Sequence, residues 1–310
     1  MSFQFDAEFA GDVDQDQIEV ESIRFPTIMF NSGDSSKRPK KTQADPGIGW
    51  RGGFFIPKDA LGAGVDLSDQ GWAEDSFISK SSDGGEVEGW YKPQITLMHI
   101  ARRRRWEVKD SNMNFAWKDS KAAKAAGSMR GHQQSLIIVK GLEDFGPFCL
   151  SMRGHTQMAF NGDMEYATSG CLSSFKRTVI QKANDVTRDA TAKGVKAAVW
   201  DYYGFWLTVG AAVGSDGEPM FFEVGKGSKT SKVVLPVPIG LPATAAEVDL
   251  NQYFVGKEML HQARTTLDMV KSEGWLHGWD NLTQGGDEAE PVKRKAAVEE
   301  LASLAEEAGI

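Results

Sequence analysis

Three features of this 310-residue chain predict an α+β fold, with an antiparallel OB-like β-barrel core and appended helices. Short runs rich in β-branched and aromatic residues, separated by Gly, Ser and Asp turns, fill the first half. Helical spacing is confined to a few later segments. Strands and helices are segregated, not alternated, which disfavours a βαβ parallel sheet.

Residues 1–17 read as an acidic disordered tail. Between Met1 and Ser22 stand seven carboxylates and no basic side chain, with too few apolar groups to join a core. A β-rich binding domain is expected over residues 18–277. Its first strand is Ile18–Phe30, and Asn31–Gly47 is a surface loop carrying Lys37, Arg38, Lys40 and Lys41. Ile48–Pro57 is a short strand pair or bulged strand, bent at Gly52-Gly53. Ser81-Ser82-Asp83-Gly84-Gly85 marks a turn. Gln94–Ala101 is a strand apolar on both faces, and it runs directly into Arg102-Arg103-Arg104-Arg105-Trp106. Lys118–Gly127 is a short helix or a basic loop.

Gln134–Lys140 and Phe145–Met152 form a hairpin across Gly141–Asp144. Helical spacing over Cys171–Lys193 places Leu172, Phe175, Val179, Ala183 and Val186 on one face. Five rings in the seven residues Trp200–Trp206 supply core on one side and an exposed ring on the other. The Gly214-Ser215-Asp216-Gly217 turn joins Ala197–Val213 to Met220–Val224 as a hairpin. Ser231–Leu241 starts as a strand, and its prolines mark an edge or an exit. Ala245–Glu273 is a long helix, 278–291 a polar linker, and 292–310 a C-terminal amphipathic helix.

No apolar run approaches the ~18 residues of a membrane span. The N-terminus has no basic region ahead of an apolar one, and Cys149 and Cys171 are the only cysteines. Reduced thiols and a cytoplasmic location, away from any membrane, are the expectation. Phosphate-loop, dinucleotide, GxSxG and HExxH motifs are absent. His132, Cys149, His155 and Cys171 lie within 40 residues but lack the short paired spacing of a zinc site. No catalytic residue, metal or cofactor is therefore expected. His99, inside an apolar strand, reads as a core histidine.

The formal net charge is −8, yet Tyr91–Trp200 holds 18 basic residues against nine acidic. An electropositive surface between acidic ends follows. Its centre is Trp90, Tyr91, Lys92, Arg102, Arg103, Arg104, Arg105, Trp106, Lys109, Trp117 and Lys118. Cations that follow phosphates, interleaved with rings on which bases stack, are what a single-stranded nucleic acid requires. In an extended strand Arg103 and Arg105 share one face, while Arg102, Arg104 and Trp106 share the other. The competing reading is a solvated strand end with core tryptophans. Ser128-Met129-Arg130-Gly131-His132 recurs as Ser151-Met152-Arg153-Gly154-His155. Arg130 and Arg153 thus become phosphate-contact candidates or simple turn arginines.

IGWRGGFFIPKDA, the QITLMHIARRRRW strand and the SLIIVKGLEDFGPFCLSMRG hairpin together resemble uncharacterised phage- and plasmid-borne proteins over residues 20–165. The resemblance implies a mobile-element setting of replication and recombination. The expected function is single-stranded-DNA binding without catalysis. Replication or recombination proteins would be recruited through the acidic termini, and the chain would form homo-oligomers. A self-associating assembly protein is the alternative. A metal-dependent nuclease using Asp59, Asp66, Asp69, Glu74 and Asp75 is the second alternative.

Overall fold

The computed structural model describes residues 25–32, 52–78, 86–108, 114–116, 119–162, 170–190, 199–224, 231–272, 275 and 280–281. The expected acidic tail, the Lys37–Lys41 loop, Lys109, Trp117, Lys118 and the C-terminal amphipathic helix lie outside these residues, as does all of the expected linker except Asp280–Asn281.

Mixed α+β architecture is observed, dominated by one large and mostly antiparallel sheet. The strands in chain order are β1 (Thr27–Asn31), β2 (Gly53–Pro57), β3 (Ala73–Ile78), β4 (Glu86–Lys92), β5 (Gln94–Val108), β6 (Asn114–Ala116), β7 (Met129–Val139), β8 (Phe148–Arg153), β9 (Leu207–Ala211), β10 (Phe221–Val224), β11 (Ser231–Val234), β12 (Pro236–Pro238) and β13 (Asp280–Asn281). The main sheet runs β12-β9-β5-β7-β8-β1-β2-β4-β3, with β6 and β13 also paired to β5, while β10 and β11 form a separate ribbon. Within the main sheet β1 and β8 run parallel, with Ile28 beside Leu150.

The expected barrel does not close, because the sheet ends at β3 and β12. Pro236 and Pro238 deprive β12 of N–H donors, and Glu74 and Asp75 put charge on β3. Both are devices that keep an edge strand unpaired. The sheet nevertheless curls. Only Pro93 separates β4 from β5, and β2 approaches both β5 and β9.

Two apolar clusters flank the sheet. The first joins Ile28, Phe30, Phe54, Ile56, Trp90, Ile95, Leu97, Ile137 and Leu150 to Phe160, Leu172, Phe175 and Val179. These last four come from α3 (Gly154–Asn161), α4 (Cys171–Phe175) and the π turn Lys176–Ile180, which leads into α5 (Gln181–Ala190). The second cluster packs Met98, Ile100, Leu136, Ile138 and Cys149 under Ala263, Leu267 and Val270 of α6 (Lys257–Ser272), with Trp275 beyond it. Each fully buried large aliphatic or aromatic side chain contributes about 1.5–3 kcal/mol of transfer free energy.

Three expectations need correction. β5 does not stop at Ala101 but continues through all four arginines to Val108, because β7 pairs with it from Leu97 to Val108. The long helix expected over Ala245–Glu273 breaks into 3-10 turns at Ala245–Glu247 and Leu250–Gln252 before α6. The Asp249 carboxylate accepts from the Asn251 N–H at 3.1 Å, and Gly256 is left-handed at φ 86°. Both favour a cap over continuation. The turn at Gly214–Gly217 forms, with the Gly217 N–H donating to the Gly214 carbonyl. The arms pair at the base of the turn, where Val213 bridges Pro219 and the Met220 N–H donates to the Ala212 carbonyl, but beyond it β10 pairs with β11 and not with β9.

Candidate functional site

Alternation along β5 decides where its charges go. A register shift between His99 and Ala101 puts Ala101 opposite Leu136, Arg103 opposite Gln134 and Arg105 opposite His132. These residues share the α6 face. Arg102, Arg104 and Trp106 lie on the other face, opposite Ser135, Gln133 and Gly131. Cross-strand pairing then adds Arg153 of β8 beside His132, and Ser151 beside Gln134. Arg130 lies opposite Glu107. Four guanidinium groups (Arg103, Arg105, Arg130 and Arg153) therefore share one end of one face, and the carboxylate of Glu107 lies among Arg105, Arg130 and Arg153.

Arg103 is anchored. Its Nε donates to Gln134 Oε1 at 2.8 Å and its Nη1 to the Trp275 carbonyl at 2.6 Å. The guanidinium lies 4.1 Å from the Trp275 ring centroid. Burial draws Arg103 down to about 10, so it stays charged at neutral pH. Arg105 Nε donates to His132 Nδ1 at 3.4 Å, which leaves the proton of the neutral ring on Nε2, 2.8 Å from Ser151 Oγ. Burial, then the charges of Arg153 and Arg105, push His132 down to about 3.

The two copies of the Ser-Met-Arg-Gly-His motif meet at Glu107. Arg130 grips its carboxylate with Nε at 3.1 Å and Nη2 at 2.9 Å. Arg153 Nε stands 3.3 Å away on the second copy. Their local structures differ: the first copy enters β7 at Met129, whereas the second turns from β8 into α3 at Gly154, φ 53°. The Arg130 and Arg153 side chains are 41% and 51% exposed and Glu107 only 16%. Burial raises the Glu107 pKa, but the Arg130 hydrogen bond and the positive charges around it outweigh that, so the acid stays below its ordinary range.

On the opposite face Arg102 Nη1 donates to Asn161 Oδ1 at 3.2 Å. Asn161 and Gln133 form a buried reciprocal amide pair. Trp106 and Phe115 are cross-strand neighbours there, both half-buried. Trp106 and Phe115 thus lie on the face opposite Arg103, Arg105, Arg130 and Arg153.

Trp90, Tyr91 and Lys92 do not join this cluster. In the sheet order four strands (β2, β1, β8 and β7) stand between β4 and β5. Trp90 is core, Tyr91 donates its hydroxyl to the Gly52 carbonyl at 3.1 Å, and Lys92 donates to the Gln70 carbonyl at 2.7 Å. A single channel drawn from Trp90 to Lys118 is not assembled among the described residues. Sequence proximity misled here because β4 and β5 meet at a corner, and each then pairs with different strands.

Of the five rings in Trp200–Trp206, Tyr202 and Tyr203 are half-buried and none is fully exposed. Trp200, Phe205 and Trp206 are buried, and Phe254 closes a cluster of edge-to-face rings with the first two. Asp66 caps Ser68, Asp75 binds the Ser76 N–H, and Glu74 pairs with Lys58 at 2.9 Å. Among the described residues no group of three or more His, Cys, Asp or Glu is placed to hold a metal ion. No helix among them is long and apolar enough to cross a membrane. Burial raises the Cys149 thiol to about 11 and the Cys171 thiol further, so neither offers a thiolate at neutral pH.

The arginine-rich end of β5, β7 and β8 can accept anionic oxygens through charge-assisted hydrogen bonds. No protein-family model, no curated protein and no solved structure matches this chain.

Proposed function

We propose that the protein binds single-stranded DNA without catalysing a reaction, holding backbone phosphates at Arg105, Arg130 and Arg153. The observation that carries this reading is the imbalance at one end of one sheet face: among the described residues the guanidinium groups of Arg105, Arg130 and Arg153 gather about the one carboxylate of Glu107. Such a surplus attracts polyanions and makes their binding salt-dependent.

The sheet topology supports the choice of a nucleic acid. We read β4 and β5 as one strand bent at Pro93. The order β5-β7-β8-β1-β2-β4 then sets five strands side by side in a curled, open sheet, an arrangement like that of the partly open OB barrel. In that fold oligonucleotides lie on the second and third strands. Counted from the bent strand these are β7 and β8, which carry Arg130 and Arg153.

The test is an anisotropy titration with a labelled oligonucleotide of about 16 nucleotides, beside the matching duplex, at two salt concentrations. Single strands should bind more tightly than duplex. Replacing Arg105, Arg130 and Arg153 together by Gln should weaken binding at least about tenfold and flatten the log–log salt slope by roughly 2. Equal, salt-insensitive binding by the folded triple variant would refute the reading.

A further inference from the structure

We infer that Glu107 is a built-in competitor for the phosphate site, and that it selects chains of phosphates over isolated anions. This rests on the nucleic-acid reading above.

The geometry is that of a ligand already in place. Arg130 presents Nε and Nη2 to the two oxygens of Glu107, at 3.1 and 2.9 Å. This is the fork by which arginine holds two oxygens of a carboxylate or a phosphate alike. Arg153 Nε approaches the same carboxylate from β8 at 3.3 Å. A carboxylate from within the protein thus occupies the position that a phosphodiester would take between the two repeated motifs.

The consequence concerns the class of ligand. One phosphodiester carries one negative charge, so displacing one carboxylate exchanges like for like and gains little. An isolated phosphate has nothing else to offer. A polynucleotide brings neighbouring phosphates to Arg105 and the surrounding positive surface, and each further contact releases counterions. Glu107 thereby sets a threshold that a chain passes and a single anion does not. Its burial at 16% exposure and its paired hydrogen bonds hold the competitor in position. The positive surroundings keep it ionised well below neutral pH, so competition persists across the physiological range.

The experiment compares the wild-type protein with Glu107→Gln and Glu107→Asp in oligonucleotide titrations over a salt series, with inorganic phosphate as the competing probe. Glu107→Gln keeps the shape but not the charge. It should bind the oligonucleotide about three- to tenfold more tightly, with a salt slope steeper by roughly 0.7 for the extra phosphate contact. Inorganic phosphate should displace the oligonucleotide from this variant at lower concentration than from the wild type. Glu107→Asp retains the charge but is too short to reach both arginines, so its affinity should fall between the two. Thermal melts confirm folding, and Glu107→Asp decides the matter if Glu107→Gln fails to fold. Wild-type binding with unchanged or weaker binding by the folded variants overturns the competitor role alone. Absence of binding by wild type and variants overturns the nucleic-acid reading, and this inference with it.

Discussion

His99 lies in β5 with its ring 5.6 Å from Tyr202 and 6.4 Å from Phe160, and its buried Nε2 has no hydrogen-bond partner among the described residues. Burial, then the charge of Arg102, push its pKa to about 3. The unfolded imidazole titrates near 6.5, so the unfolded state takes up protons first as pH falls. Stability should therefore decline from about pH 6.5 downwards until the folded ring itself protonates near 3, by roughly 2 kcal/mol at pH 5 for this residue. His132 adds a similar loss by the same sign. Urea titrations at pH 7 and pH 5 should show it, and His99→Leu should abolish the His99 share. Removing the unpartnered nitrogen should also leave this variant at least as stable as wild type at pH 7. A variant with the full wild-type acid sensitivity would contradict the assignment.

At this same level the sequence was legible in part. Alternation in an extended segment separates Arg103 and Arg105 from Arg102 and Arg104 without any structure. That Arg130 and Arg153 would join the first pair was not readable, because two motifs 23 residues apart become neighbours only through the β7–β8 register. Glu107 carried no signal at all: one carboxylate beside a run of arginines looks like any solvated charge.

Within single elements, β2 and β4 show what close approach demands. A Cβ on Gly89 would meet the Ile56 carbonyl oxygen at 2.3 Å and the Phe55 ring at 2.4 Å. The carbonyl belongs to the pairing between the strands and cannot retreat freely. Gly89→Ala should cost about 1–3 kcal/mol, read from chemical denaturation, whereas Gly141→Ala, with open space around it, should pay only for its left-handed backbone. Equal stability of wild type and Gly89→Ala would show that the strands separate more easily than their packing implies.

Helices obeyed their apolar spacing where one face met the sheet. Leu172, Phe175, Val179 and Ala183 are buried as their three- and four-residue intervals require. The segment 245–273 kept its apolar stripe but not its continuity, because Asp249 and Gly256 terminate backbone hydrogen bonding whatever the hydropathy. Phe175→Ala should cost about 3–5 kcal/mol, since its ring is fully enclosed. A loss below about 1 kcal/mol would mean that the cluster refills the void.

Across the molecule, pairing is dominated by partners distant in sequence. Thr96 of β5 bonds Thr208 of β9 across 112 positions, and β1 closes on β8 after more than a hundred residues. Loop-closure entropy must be met before such contacts reward it, so refolding should take milliseconds to seconds. Stopped-flow fluorescence that reaches native intensity within about 0.1 ms would contradict this topology.

Local chemistry in the chain dictated strand and helix content, the apolar faces and the alternation of charge along β5, since each depends on residues a few positions apart. Pairing between distant strands settled the rest: an open sheet in place of a closed barrel, the burial of Trp90 and Tyr91, and the meeting of both Arg-Gly motifs at Glu107. Strand order and register are set by which distant surfaces bury one another best, and no short window of sequence contains both surfaces.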